Sequence, residues 1–273
     1  MGLILRETVD GVTTITMNNP DRLNGWTMPM LEALMAALDE ASADDDTRVV
    51  ILTGAGRYYC AGVNLGGSLK VAHPAKLHTF IYERNRDLFN RFIRFDKPIL
   101  IAANGPAIGA SVTSAVLCDA IIASEQATFS TPFAALSVPP EGCSSEVFPR
   151  VLGDAAPRML GDEGWKPTAK EAAEVGLVQE VVPHDELLPA AHRLAQSWIA
   201  EGRKRTYPGG FSAQELEAIN ERESKVLARA FLSPPFLQAQ FRFLWGKRKR
   251  QPALMFGLLA TTHPLWGWMV PGR

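Results

Sequence analysis

A mostly parallel α/β sheet covered by helices is the fold class that this 273-residue sequence predicts, on three observations. Short β-branched runs alternate with segments of helical periodicity, as in βαβ units. Glycine-containing breaks fall where those runs end. Hydrophobic residues make up 47% of the chain and charged residues 21%, the balance of a sequence that can bury a sizeable core.

The elements follow in order. Val12-Thr13-Thr14-Ile15-Thr16-Met17 alternates with the period of a half-buried strand and stops at the turn residues Asn18-Asn19-Pro20. A helix is expected next, with Thr27 as its cap, Pro29 in the first turn, and Met30, Leu31, Leu34, Met35 and Leu38 on one apolar face. Arg48-Val49-Val50-Ile51-Leu52-Thr53 reads as a buried strand running into a loop at Gly54-Ala55-Gly56. Helical spacing returns at Phe80, Leu88, Phe92 and Ile93 before the strand Pro98-Ile99-Leu100-Ile101-Ala102-Ala103, which breaks at Asn104-Gly105-Pro106. A short helix of small residues over about 110–117 leads to the strand Ala120-Ile121-Ile122-Ala123.

The chain is longer than a usual domain of roughly 100–200 residues, so one main core over residues 1–200 and a smaller helical region over residues 201–273 are expected. The boundary falls at Arg203-Lys204-Arg205-Thr206-Tyr207-Pro208-Gly209-Gly210, which reads as a basic linker before a helix over 213–232. No internal repeat or low-complexity tract points to a solenoid or propeller. The tail over 253–270 is rich in Leu, Met and Trp, but Thr261, Thr262, His263 and Pro264 interrupt it. A spanning helix needs roughly 20 apolar residues, so no transmembrane span is expected.

A net charge of -1 gives no global reason to expect a nucleic-acid partner. Cys60, Cys118 and Cys143 form no CxxC pair, and His73, His78, His184, His192 and His263 show no ligand spacing. Neither a disulfide framework nor a metal is expected. The first six residues lack the pattern of a secretory signal, and Pro271-Gly272-Arg273 is not an SKL-type ending. The cysteine pattern reads most simply as an intracellular, reducing compartment, and the sequence does not name it as peroxisomal or cytoplasmic.

Three segments can carry chemistry. Cys60-Ala61-Gly62-Val63-Asn64-Leu65 follows a strand and exposes backbone to close approach, while Asn104-Gly105-Pro106-Ala107-Ile108-Gly109-Ala110-Ser111 turns a strand end into a helix with unpaired first N–H groups. Two N–H donors from separate loops, aimed at one point, are what an enolate or oxyanion requires. The third segment, Pro139-Pro140-Glu141-Gly142-Cys143-Ser144-Ser145, sets a carboxylate on a tight loop where a proton can be moved.

In order and spacing, these segments resemble the crotonase (enoyl-CoA hydratase/isomerase) family across about residues 1–200. The resemblance implies a spiral of ββα units with a C-terminal helical trimerisation region, and an acyl-CoA thioester as substrate. Coenzyme A is then part of the substrate, and no separate cofactor is expected. It also implies a homotrimer or hexamer, with Val63 and Ala110 as the oxyanion donors and Ala61, Gly62, Asn64, Leu65, Gly109 and Phe133 around the substrate. Hydratases of this family carry two glutamates; the matching positions here are Thr113 and Phe133, neither of which can exchange a proton near neutrality. Ala127-Thr128-Phe129-Ser130-Thr131-Pro132-Phe133 and the Pro140-Glu141-Gly142-Cys143-Ser144-Ser145 loop are similar to Δ3,Δ2-enoyl-CoA isomerases of the peroxisomal type, in which that glutamate is the base. By that resemblance Glu141 is the single catalytic base, serving fatty acid β-oxidation of unsaturated acyl chains. Phe129, Phe133, Leu136 and Val138 are expected to form an apolar wall that raises its pKa.

Competing readings are a hydratase or thioester hydrolase using Glu146 or Asp154, a nucleophilic Cys143, and a non-catalytic acyl-CoA-binding module. Lys247-Arg248-Lys249-Arg250 reads as a solvated helix face, a contact for coenzyme A phosphates or a localisation signal.

Overall fold

The computed structural model describes residues 2–63, 72–161 and 164–272. Its main sheet begins with a hairpin, β1 (Ile4–Val9) paired antiparallel to β2 (Val12–Met17), in which Val9 faces Val12 across the turn Asp10-Gly11. Both turn residues have positive φ, 50° and 82°, the conformation that matches the twist of two-residue hairpins. The sheet then runs parallel through β3 (Val49–Gly54), β4 (Ile99–Ala103), β6 (Ala120–Ser124) and β8 (Glu180–Val182). The α/β class expected from the sequence is what forms, with a mainly helical C-terminal region.

β3 is buried along its whole length because both faces of the sheet are covered. Val50 and Leu52 join the larger core with α1 (Met28–Ala43) and α2 (Pro74–Arg94). Val49 and Ile51 face α7 (Leu187–Ala200), where Ala191, Ala195 and Trp198 pack. α1 starts where the sequence predicts, with the Thr27 side chain accepting from Met30 N–H and Pro29 in the first turn. A second sheet, β5 (Ala107–Ile108) with β7 (Phe129–Ser130), carries the chain into α3 (Ala110–Val116). Helices α4 (Ser144–Leu152), α5 (Ala156–Leu160) and α6 (Ala169–Glu174) complete the first two hundred residues.

The stretch read as a basic linker is anchored rather than loose. Arg205 makes a 2.6 Å ion pair with Asp119 through Nη1, their side chains 6% and 0% exposed, and its Nη2 donates to Leu117 O at 2.6 Å. Thr206 N–H and Ile99 N–H also donate to Asp119. Beyond it, α8 (Ala213–Ala230) packs along α2, and Phe211, Leu216 and Ile219 belong to the larger core. α9 (Pro234–Gly246) and α10 (Arg250–Trp266) form a helical pair around Phe236 and Phe256. α10 continues through Thr261-Thr262-His263-Pro264, with both threonine hydroxyls donating to Leu258 O (3.0 and 2.7 Å). Among the described residues no helix is long and apolar enough to cross a membrane.

Candidate active site

The three segments singled out in the sequence meet in one cavity of about 1290 Å³. Ala61, Gly62, Val63, Gly109, Ala110, Phe133 and Glu141 all line it. Asn64 and Leu65 lie outside the described residues.

The loops around Gly62 and Gly109 are stitched together by backbone. Cys60 N–H donates to Pro106 O at 3.2 Å and Ile108 N–H donates to Cys60 O at 3.0 Å, so the chain after β3 runs beside the entry to α3. Gly62 has φ +81°, and a Cβ there would sit 2.7 Å from Ile108 O. Only glycine permits so close a crossing. Trp26 N–H takes Gly62 O at 2.8 Å, and Gly109 N–H takes Ser130 O at 2.7 Å. These bonds leave the amides of Val63 and Ala110 without an acceptor among the described residues, both at the cavity wall. Val63 is 37% exposed.

Two asparagines hold the first loop from behind. Asn24 donates to Ala55 O and Tyr58 O at 2.9 and 2.8 Å, and Asn104 donates to Gly56 O at 2.8 Å while accepting from Gly54 N–H at 3.1 Å. Asn104 reads in sequence only as a turn former, since side-chain bonds to a distant loop leave no local signal.

Glu141 precedes a turn in which Gly142 and Cys143 both have left-handed backbone, φ 63° and 65°. A Cβ on Gly142 would overlap the Phe89 ring and lie 2.8 Å from Thr113 Oγ1, so glycine lets the turn press against α2 and α3. The Glu141 residue is 8% exposed. Burial pushes its carboxyl up from 4.5 to about 8, with the negative charge of Glu223 adding to the effect. Phe133, Leu136 and Val138 stand on the cavity wall as expected, whereas Phe129 is buried behind it.

The competing acids and nucleophile are placed elsewhere. Glu146 pairs with Arg222 and Asp154 is exposed, and neither lines the cavity. Thr113 is buried, its hydroxyl donating to Ala110 O at 3.3 Å. Cys143 donates its thiol to Leu216 O at 3.2 Å, and burial, then Glu223, pushes its pKa up, so it stays protonated. A thiol is a poor nucleophile in that state. Among the described residues no three His, Cys, Asp or Glu side chains are arranged to hold a metal ion.

At the cavity mouth stand Arg84, Lys166, Arg242, Lys247 and Lys249; Glu141 is the one carboxylate among the described lining residues. Two members of the basic run thus face the cavity rather than bulk solvent alone. Ile81, Leu88, Leu227, Phe231 and Leu244 form an apolar lining between α2 and the C-terminal helices.

The family model described as enoyl-CoA hydratase/isomerase matches residues 7–208. The chain is 35% identical over 267 residues to enoyl-CoA delta isomerase 2 of Rattus norvegicus, spanning 90% of this chain and 64% of that protein. It is 33% identical over 247 residues to chromodomain Y-like protein 2 of Mus musculus, spanning 87% of this chain and 49% of that one. The chain therefore spans less than two thirds of the length of these relatives. The crystal structure of an enoyl-CoA hydratase/isomerase from Pseudoalteromonas atlantica T6c shares the fold, with a TM-score of 0.73 at 24% identity over 90% of this chain and 97% of that one.

Proposed function

This chain belongs to the enoyl-CoA hydratase/isomerase family, and from that premise we propose that it is a Δ3,Δ2-enoyl-CoA isomerase with Glu141 as its single base. The observation that carries the proposal is a lone cavity carboxylate with raised proton affinity, set in one cavity with two amides that have no acceptor among the described residues.

The chemistry needs no more than these groups. Glu141 removes a proton from C2 of a 3-enoyl-CoA thioester, and the C–H electron pair passes into a dienolate whose negative oxygen accepts from the Val63 and Ala110 amides. The same carboxyl then returns a proton to C4: the C3–C4 π pair of the dienolate becomes the new C4–H bond, the C1–C2 π pair moves to form the C2–C3 double bond, and an oxygen lone pair restores the thioester carbonyl. A base with a pKa near 8 suits this work, because it binds a proton strongly enough to take one from a weak carbon acid yet releases it near neutral pH. Hydration would call for a second acid/base, and the matching positions hold Thr113 and Phe133.

Charge supports an acyl-CoA substrate. No Asp or Glu occurs after Glu223, and Arg242, Lys247 and Lys249 from that stretch join Arg84 and Lys166 at the cavity. Such a rim suits phosphates, and the apolar lining suits an acyl tail.

Product analysis tests the reading. Purified protein incubated with a trans-3-enoyl-CoA should yield the trans-2 isomer with negligible 3-hydroxyacyl-CoA. A predominantly hydrated product would assign a hydratase; tight binding of the thioester without turnover would assign a binding module.

A further inference from the structure

Glu223 sits on α8, far along the chain from the loop it holds, and its carboxylate is buried. One oxygen accepts from Cys143 N–H at 2.7 Å; the other accepts from Ser145 N–H at 2.9 Å and from the Ser145 hydroxyl at 2.5 Å. All three donors belong to the turn that follows Glu141 and to the first turn of α4. That turn needs holding, since Cys143 carries a Cβ in left-handed backbone, which costs roughly 1–2 kcal/mol. Glu223 does not line the cavity, so it has no path to a bound ligand there.

We propose that Glu223 is the positioning residue of the base, its carboxylate clamping the Gly142–Cys143 turn and setting a second negative charge beside Glu141. The inference rests on the reading of Glu141 as the catalytic base. Every group bonded to Glu223 is a donor, which is the pattern an ionised, acceptor-only carboxylate requires. Burial pushes its own pKa up, and the Ser145 and Cys143 donors oppose that.

The other neighbours do not cancel its charge. Phe89 of α2 and Thr113 of α3, which face the turn at Gly142, are uncharged. Glu146 on α4 and Arg222 on α8 are charged groups nearby among the described residues, and they pair with each other. A negative Glu223 therefore makes ionisation of Glu141 harder, second only to burial as the cause of its raised pKa. The C-terminal helical region thus reaches into the catalytic loop without touching substrate.

Glu223→Gln keeps the shape, removes the charge and turns one acceptor into a donor that meets an N–H. Two readouts separate positioning from mere stability. The first is kcat against pH; the second, independent of turnover, is titration of the Glu141 carboxyl by carbon-13 NMR. The variant should lose about tenfold or more in kcat with KM within about twofold, and the Glu141 midpoint should move down by about half a pH unit or more. Glu223→Asp, which keeps the charge, should restore the midpoint. An unchanged midpoint together with kcat within about twofold of native would overturn the inference. If Glu223→Gln fails to fold, Ser145→Ala loosens the clamp and leaves the charge: kcat should fall while the midpoint does not move down, and a native kcat would overturn the clamp. A native protein with no isomerase activity would defeat the functional reading, while the NMR midpoint would still decide the effect of Glu223 on Glu141.

Discussion

Replacing Glu141 by glutamine should stabilise the protein, by an amount that grows with pH. The Glu141 carboxyl is raised from 4.5 to about 8, first by burial and then by Glu223. Between those values the folded chain holds a proton that the unfolded chain has lost. The stability linked to this group is therefore fully present below about 4.5 and declines as pH rises through about 8. At about 1.4 kcal/mol per pH unit, the full window corresponds to a ceiling of about 5 kcal/mol. Water entering the open cavity reduces the effect, and about 2–4 kcal/mol between pH 5 and pH 9 is expected. Glutamine is neutral throughout and so removes the dependence. Urea unfolding of both proteins at the two pH values, followed by tryptophan fluorescence, measures the difference. A gap between variant and native that is the same at both pH values, or a variant less stable at pH 9, would refute the reasoning.

Three further variants probe other parts of the account. Arg205→Met leaves Asp119 buried without its ionic partner, and urea unfolding should show a loss of about 3–5 kcal/mol. Gly62→Ala sets a methyl 2.7 Å from Ile108 O at φ +81° and forces the donor loops apart; steady-state kinetics should show kcat down by about a hundredfold with KM little changed. Replacing Lys247 and Lys249 together by alanine should raise KM several-fold and weaken its salt dependence without lowering kcat, as measured across a range of ionic strength.

Much of this fold is written in local pattern. The apolar face of α1, its Thr27 cap and the fully buried run of β3 follow from periodicity and capping, and they form as those rules require. β1 was not legible from hydrophobicity because five of its six residues are exposed; its one signal was the Asp10-Gly11 pair before an alternating run. Arg205 misled because a charged residue in a basic stretch reads as solvated, whereas here tertiary contact buries it against Asp119. The segments around Gly62, Gly109 and Glu141 were visible as small-residue loops, yet only resemblance joined them, since nothing local says that distant loops share a cavity. Glu223 did leave a trace: with Asn220 and Ser224 it occupies the buried stripe of α8 marked out by Leu216, Ile219 and Leu227. Polar residues at apolar spacing have to find partners on folding, and here those partners include the turn after Glu141.

The central claim is that one carboxylate moves the proton. Conversion of a trans-3-enoyl-CoA to its trans-2 isomer, compared between native protein and Glu141→Gln across pH, tests it most directly. The account predicts that native kcat rises with pH through a midpoint near 8 and that the variant, still folded and still binding the thioester, has lost turnover. Isomerisation that survives in Glu141→Gln with an unchanged pH profile would contradict it, because another group would then be carrying the proton.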